Sequence, residues 1–412
     1  MVYVLNKDNK PLMPTNRHSK VRRLLKSGLA KVVNRTPFTI QLLYDATEYT
    51  QAITLGVDAG SKYVGLSAST EKEELYASEI TLRTDIVKLL AERHQYRRTR
   101  RNHLRYRKPR FNNRKATKKP GWLAPSIRHK IDSHLKVVAN VYKILPVVKV
   151  VVEVASFDIQ KIKNQDISGI EYQQGDQVDS WNMREYVLFR DKHTCQHCKG
   201  KSKNKVLNVH HMESRKTGGN APSNLTTLCS TCHGKVHTGE ITLNIKRGDS
   251  FRDAAFMGIM RWAFYNKIKE IYPDVSLTYG YITKYVRIEN DIEKTHAADA
   301  YCIAGNIKGK RQEHVYMQKF VRHSNRSLHK ANLLKGGFKK ANKAPTLVKG
   351  YRLFDKVLYE NQECFIFGRR ETGYFDLRQL NGTTVHKSAS YKKLKLLAIP
   401  RTLLKERKRQ AG

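Results

Sequence analysis

Long apolar runs and acidic residues are what this sequence has least of. No run approaches the roughly 20 apolar residues of a membrane span, and the opening MVYVLNKDNK lacks the basic start and apolar stretch of a signal peptide. Asp and Glu number 36 against 78 Lys and Arg, which gives a formal net charge of +42. We therefore expect a cytoplasmic protein without a membrane segment, whose partner is a polyanion such as nucleic acid.

Cysteine is also scarce, with six residues among 412. Four of them form two Cys-x-x-Cys pairs, Cys195 with Cys198 and Cys229 with Cys232. In a reducing compartment such pairs indicate a metal rather than disulfides. Two thiolate pairs separated by about 30 residues are typical of a tetrahedral structural zinc, and a module this small has little core without one.

The remaining patterns predict several domains that contain both helices and strands. VYVLN and TPFTIQLLY are predicted strands on either side of the basic helix in VRRLLKSGLAKVV, and GVDAGSKYVGLS is a predicted β-hairpin. PVVKVVVEVA indicates a buried strand, and VSLTYGYITKYVRIE is also predicted to be a strand. Short strands between residues 351 and 380 suggest a small β-barrel.

A group of histidines lies between the paired cysteines. His210 and His211 are adjacent, Asn224 follows, and His233 and His237 are spaced to share one helix face. Hydrolysis of a phosphodiester needs a base that activates water and a metal that stabilises charge. Adjacent histidines on a strand point to opposite faces, so one can bind a metal while the other has a different partner.

This set resembles the HNH nuclease motif, a β-hairpin and a helix around one divalent metal. The resemblance implies that His211 is the general base, that His210 is a metal ligand, and that Asn224 fixes the loop that orients His211. His233 and His237 are the remaining candidate ligands. The alternative is a zinc-holding finger with spare histidines.

Three carboxylates, Asp58, Glu153 and Asp299, fall at strand ends or at a helix start. Singly, each is more often a solvated or capping residue. Together, their segments GVDAGSKYVGLS, VVVEVA and KTHAADAYCIAG resemble the three motifs of the RuvC branch of the ribonuclease H fold. The resemblance implies one cluster, in which acids without cationic partners require two Mg²⁺ ions. His296 would share a helix face with Asp299 and activate water.

An arginine-rich run, RHQYRRTRRNHLRYRKPRFNNRK, follows the first of these motifs. It resembles the bridge helix of single-protein CRISPR effectors, although a solvated basic tail is the alternative. Interleaved aromatic residues favour contact with RNA or a heteroduplex. The candidate nucleic-acid contacts are Arg97, Arg98, Arg100, Arg101, Arg105, Arg107, Arg110 and Arg114.

The order of these elements, together with PLMP near the start, resembles the IscB family of transposon-encoded RNA-guided nucleases. It implies an α/β multidomain protein with a split RuvC (ribonuclease H-like) domain, an inserted zinc-clamped HNH (ββα-metal) module, an arginine-rich bridge helix and a small C-terminal β-barrel. The predicted segments are a PLMP domain (1–50), RuvC segments (51–83, 123–176 and 248–308), the bridge helix (84–122), HNH (177–247) and a C-terminal RNA- or flanking-motif-interacting domain (309–412).

The resemblance implies a monomer bound to a structured guide RNA, which cuts double-stranded target DNA beside a short flanking motif. HNH would cut the guide-paired strand and RuvC the displaced strand, with Mg²⁺ at both sites and Zn²⁺ in the clamp. Such a complex works in a prokaryotic cytoplasm, on the nucleoid when bound to DNA. The alternatives are a homing or restriction endonuclease that acts without RNA, and a non-enzymatic zinc protein that binds RNA.

Overall fold

The computed structural model describes residues 1–103, 123–154, 187–188, 190–213, 222–245, 252–322 and 345–410, with only the backbone for residues 99–103 and 252–259. The chain divides into two compact units. One consists of Met1–Ala155 and Met260–Gly412, and the other of Ser156–Ile259. The segment with the paired cysteines and the histidines is thus an insertion in the sequence of the first unit.

The described residues contain the following helices and strands. The helices are α1 (His18–Lys26), α2 (Ile86–His103), α3 (Pro125–Tyr142), α4 (Ser230–His237), α5 (Arg252–Ile271), α6 (Gly280–Glu289) and α7 (His296–Ala304). The strands are β1 (Tyr3–Leu5), β2 (Ala30–Asn34), β3 (Thr39–Leu42), β4 (Thr54–Ala59), β5 (Tyr63–Ser69), β6 (Glu74–Thr81), β7 (Lys149–Glu153), β8 (Leu207–His211), β9 (Leu225–Cys229), β10 (Val275–Thr278), β11 (His314–Phe320), β12 (Lys356–Tyr359), β13 (Gln362–Arg369), β14 (Tyr374–Arg378), β15 (Thr384–Ser390), β16 (Lys395–Ala398) and β17 (Leu403–Arg409). No described helix is both long enough and apolar enough to cross a membrane.

A seven-stranded sheet forms the centre of the first unit, in the order β10-β7-β4-β5-β6-β11-β17. The hairpin predicted over GVDAGSKYVGLS is present as antiparallel β4 and β5, and β6 continues it. β7 runs parallel to β4, and β10 runs parallel to β7. The carboxyl ends of β4 and β7 therefore lie at the same edge of the sheet, where polar residues that follow each strand can meet.

Helix α7 packs directly on this sheet because two strand residues have no side chain. A Cβ atom on Gly56 of β4 would collide with the backbone oxygen of Ala300, and one on Gly65 of β5 with that of His296. Both obstacles are backbone atoms, which cannot turn away as a side chain can. The two glycines thus let the start of α7 approach the end of β4.

The strand predicted over residues 275–289 is wrong beyond its first four residues. Only Val275–Thr278 is a strand, and Gly280–Glu289 is a helix. The β-branched and aromatic residues of this segment favour a strand locally. However, Tyr281, Tyr285 and Ile288 recur at helical spacing, and all three are exposed on α6.

The predicted C-terminal barrel is not found. The described strands of this region form an open five-stranded sheet, in the order β15-β14-β13-β12-β16. Its core contains Val357, Cys364, Phe375 and Leu377. Two further strands from the predicted C-terminal segment, β11 and β17, instead extend the central sheet. β11 pairs in parallel with β6, a long-range contact that local sequence does not specify.

Two smaller arrangements complete the described fold. In the first unit, β1, β3 and β2 form a three-stranded sheet, against which Val21 of α1 packs. In the second unit, β8 and β9 form an antiparallel hairpin, and α4 follows β9 directly. This hairpin and helix carry most of the histidines and cysteines singled out in the sequence.

Candidate functional site

The four paired cysteines lie together in the second unit. The Sγ atoms of Cys195, Cys198, Cys229 and Cys232 are all within 4.8 Å of one another. The Sγ atoms of Cys198 and Cys229 are 3.9 Å apart, close to the edge of about 3.8 Å expected for a tetrahedron with zinc–sulfur bonds of about 2.3 Å. The cysteine cluster therefore fits a structural zinc ion.

Polar groups beside the cluster favour the thiolate form of Cys198 and Cys229, which is the form that binds metal, whereas burial raises the pKa of Cys232 to about 12. Hydrogen bonding from the Ser202 hydroxyl, supported by its backbone amide, lowers the pKa of Cys198 to about 6. The same hydroxyl lies 3.0 Å from the Sγ atom of Cys229. Nδ1 of His197 is 3.6 Å from the Sγ atom of Cys232. Neither Ser202 nor His197 was expected from the cysteine spacing.

Three histidines form a second cluster in the same unit. His210 lies on β8, and His233 and His237 lie on α4. Each brings a ring nitrogen within 4.8 Å of the others, and the Nε2 atoms of His233 and His237 are 3.4 Å apart. Burial lowers the pKa of His210 and of His233, and the neighbouring imidazoles lower it further. Both rings are thus held in the neutral form that can ligate a divalent metal.

Asn224 connects the two strands of the hairpin. It is fully buried, and its side-chain amide donates to the carbonyl oxygen of Glu213 and accepts from the Glu213 N–H. Its own carbonyl oxygen accepts from the N–H of Met212. These bonds hold the two residues that follow His211 at the end of β8. By strand alternation, the His211 side chain projects to the face opposite His210.

The carboxylates predicted at the central sheet lie near one another in the first unit. Val57 pairs with Val152, so the next residues, Asp58 and Glu153, lie side by side at the ends of β4 and β7. Asp299 lies in the first turn of α7. Burial raises the pKa of Glu153 and of Asp299, and the charge of Asp58 raises both further. The three groups thus share one electrostatic environment.

His296 begins α7 and contacts this carboxylate site. Its Nδ1 atom is 2.7 Å from Oδ2 of Asp58, and this hydrogen bond raises the pKa of His296. The helix start is fixed by the Thr295 hydroxyl, which accepts from the N–H of Ala298. Tyr63 stacks on the His296 ring with the ring centres 5.1 Å apart. Because Nδ1 is bonded to Asp58, Nε2 is the His296 nitrogen that can receive a proton from water.

The expectation that the acids have no cationic partners is wrong. Arg261 lies 3.4 Å from Glu153, and Arg287 lies 3.2 Å from Asp299. Arg261 also donates to the carbonyl oxygen of Ala59, next to Asp58. These arginines lie in segments read only as helix and strand, and no motif distinguished them. The described carboxylates do not form a group with all ligand atoms within 4.8 Å, unlike the cysteines and the histidines.

The arginine-rich run is described only in part. Arg97 and Arg98 are exposed on α2. Only the backbone is described for Arg100 and Arg101. The other candidates, Arg105, Arg107, Arg110 and Arg114, lie outside the described residues.

Two family models match the chain. The model of the RRXRR protein family matches residues 2–175, and the model of the HNH endonuclease family matches residues 195–239. The second match includes all four clamp cysteines and the three clustered histidines. The chain thus carries a segment that matches the RRXRR protein family, followed by one that matches the HNH endonuclease family. No curated protein matches it.

Among solved structures, the chain is similar in part to Streptococcus thermophilus Cas9. One match, to Cas9 in complex with the AGAA PAM, has 15% identity and a TM-score of 0.28, and covers 45% of this chain and 26% of that chain. Another, in complex with the GGAA PAM, has 14% identity and a TM-score of 0.29, and covers 51% and 30%. The chain thus spans less than a third of the length of these structures.

Proposed function

We propose that this protein is an RNA-guided DNA endonuclease with two separate cleavage sites. The observation that carries the proposal is the histidine cluster within the HNH match, together with a second, carboxylate site on the central sheet. One hydrolytic centre in each unit would allow each strand of a duplex to be cut by its own site. The HNH site would cut the guide-paired strand and the carboxylate site the displaced strand.

At the HNH site, His210, His233 and His237 would hold the divalent metal, for which we propose Mg²⁺. A metal held there would supply electrostatic stabilisation of charge on the phosphate and on the leaving oxygen. His211 would take a proton from the attacking water. Asn224 would position His211 by holding the backbone that follows it. The cysteine cluster has no open position for water once four thiolates bind zinc, so its role would be structural.

At the carboxylate site, Asp58, Glu153 and Asp299 offer the hard oxygen donors that suit Mg²⁺. The raised pKa values of Glu153 and Asp299, to which the charge of Asp58 contributes, support this fit, because a bound cation relieves the repulsion between the acids. These three residues would hold Mg²⁺, which would supply electrostatic stabilisation of the charge that develops on the scissile phosphate of the displaced strand. Asp58 would orient His296, whose Nε2 would accept a proton from water.

Charge and length together favour an RNA partner. A guide–target heteroduplex of about 20 base pairs carries about 40 phosphates, comparable with the formal charge of +42. A protein that grips only duplex DNA needs roughly 6 to 10 phosphate contacts. A structured RNA would also supply the scaffold that larger effectors build from protein. The C-terminal sheet is our candidate for reading the flanking motif.

The test is to remove the RNA from the purified protein. After nuclease treatment and confirmation of folding by circular dichroism, cleavage is assayed with Mg²⁺, with and without added copurified RNA. We expect cutting only with RNA that matches the target. Sequence-specific cutting by the RNA-free protein would reject guidance and favour a homing or restriction enzyme. Loss of divalent-dependent cutting under every condition would favour a non-enzymatic RNA-binding protein.

The arginine-rich run gives a second test of the RNA partner. Replacing Arg97, Arg98, Arg100 and Arg101 with alanine should weaken RNA retention and make it more sensitive to salt. The matched control removes four exposed charges from α1, by changing Lys20, Arg22, Arg23 and Lys26 to alanine. Equal RNA loss in both variants would show that the run acts only through net charge.

A further inference from the structure

A cavity of about 200 Å³ lies between the end of β2 and the open C-terminal sheet, and none of its lining residues belongs to either site described above. Asn34, Arg35 and Thr36 line one side, and Lys356, Phe365 and Lys405 are among the residues that line the other. The cavity thus joins three stretches of the first unit that are far apart in sequence.

Positive charge exceeds negative charge in the lining of this cavity. Glu363 is the acidic partner of two lining residues, at 3.2 Å from Arg35 and 2.5 Å from Lys356. The side-chain ammonium of Lys405 makes no hydrogen bond or ion pair within the described part of the chain, although its backbone pairs with β11. Burial, together with the charges of Lys136 and Lys143, lowers the pKa of Lys405 to about 8. A group held in this way gains strongly from an anion placed beside it.

The remaining wall of the cavity is apolar. Phe365 is buried beneath it, and Ile399, which is 53% exposed, lies at its rim beside Pro400. A site for a small inorganic anion does not need such a wall. A nucleotide presents both kinds of surface, because an anionic phosphate is joined to a sugar and a base with apolar faces.

We infer that this cavity is a binding site for one phosphodiester unit of a nucleic-acid strand, with its phosphate beside Lys405 and Arg35 and its sugar or base against Ile399. The inference rests on the nucleic-acid partner of the proposed function, but not on cleavage or guidance. Two sources share this chemistry, the RNA and the target DNA.

The test compares Lys405→Gln with Lys387→Gln in the full-length chain. Lys387 is exposed on β15, at the edge of the five-stranded sheet opposite β16 and outside the cavity lining, so each variant loses one positive charge but only Lys405→Gln changes the cavity. Lys405→Gln is expected to fold, since the variant removes a charge that burial disfavours. Binding of a labelled 20-nucleotide single-stranded RNA and of a 20-base-pair duplex DNA is measured without divalent metal, over a range of salt concentrations.

Loss of one phosphate contact should make the negative slope of log affinity against log salt concentration shallower. Its magnitude should fall by about 0.7 with the single-stranded RNA or by about 0.9 with the duplex. A fall in Lys405→Gln with RNA alone assigns the cavity to RNA, and a fall with the duplex alone assigns it to the target. An unchanged slope with both probes, or the same fall in Lys387→Gln, overturns the inference. The assay needs no cutting, so the site can stand even if guided cleavage fails.

Discussion

Acidification should destabilise the first unit through one buried histidine beneath the carboxylate site. His134 on α3 is 0% exposed, its ring lies 5.1 Å from that of Phe264, and its Nδ1 atom donates to the carbonyl oxygen of Lys130. Burial lowers its pKa from the ordinary value of 6.5 to about 4. Lys130 in turn donates to the carbonyl oxygen of Ser61, in the turn that follows the strand of Asp58.

The size of the effect follows from the two pKa values. His134 is neutral in the folded protein down to about pH 4, whereas in the unfolded chain it takes up a proton near pH 6.5. Its neutral burial therefore contributes stability above pH 6.5 that is lost as the pH falls towards 4. At 1.36 kcal/mol per pH unit, the loss is about 3 kcal/mol over this range.

The measurement must be a difference, because nearby carboxyls act in the opposite sense. Glu153 and Asp299 have raised pKa values, so the folded state binds their protons more readily and gains stability as the pH falls. His134→Phe removes the titrating group and keeps a ring of similar size. Both proteins are unfolded with denaturant at pH 7, 5.5 and 4, and unfolding is monitored by hydrogen exchange in α3. The measured quantity is the difference between their free energies of unfolding at each pH.

We expect the wild-type protein to lose about 3 kcal/mol relative to His134→Phe between pH 7 and pH 4. A difference that stays constant over this range would refute the reasoning. It would mean that His134 is protonated in the folded state, or that it already avoids protonation in the unfolded chain.

Three further predictions concern the two sites. His211→Ala should abolish cutting of the guide-paired strand and leave nicking of the other, whereas Asp58→Ala should do the reverse; strand-specific labels decide this, and loss of both cuts in a folded variant would contradict separate sites. Cys195→Ser should lower zinc content and unfold the HNH module while the other cut survives; full zinc occupancy would count against the clamp. Gly65→Ala should displace the start of α7, reduce the free energy of unfolding by about 1 to 3 kcal/mol and impair cutting of the displaced strand. Gly382→Ala is the comparison for backbone strain alone, because Gly382 has a positive φ but open space around its Cα.

Local patterns in the sequence predicted the parts of the fold that depend on local periodicity. The hairpin that carries Asp58, the strand that carries Glu153 and the helix that begins at His296 are all present. The HNH match likewise confirms the predicted HNH domain. This domain could be predicted because the spacing of its cysteines and histidines within one short segment is characteristic. In each case the relevant residues lie within one short segment.

The errors occurred where distant residues decide the structure. α6 has β-branched residues that favour a strand, but it folds as a helix beside the carboxylates. β11 and β17 join the central sheet through pairings with β6 and with each other, which no short segment encodes. Arg261 approaches Glu153 only after the fold brings α5 to the end of β7. The roles of the individual site residues stay predictions.

The two sites differ in how completely the protein assembles them, and this difference has a consequence for metal dependence. The histidine nitrogens already lie within 4.8 Å of one another, so a metal can bind there with little rearrangement. The carboxylates are instead paired with Arg261 and Arg287, contacts that a bound cation must compete with or displace. Nicking of the guide-paired strand should therefore reach half its maximal rate at a lower Mg²⁺ concentration than nicking of the displaced strand. Equal midpoints for the two strands, or a reversed order, would mean that pre-assembly of the ligands does not govern metal binding in this protein.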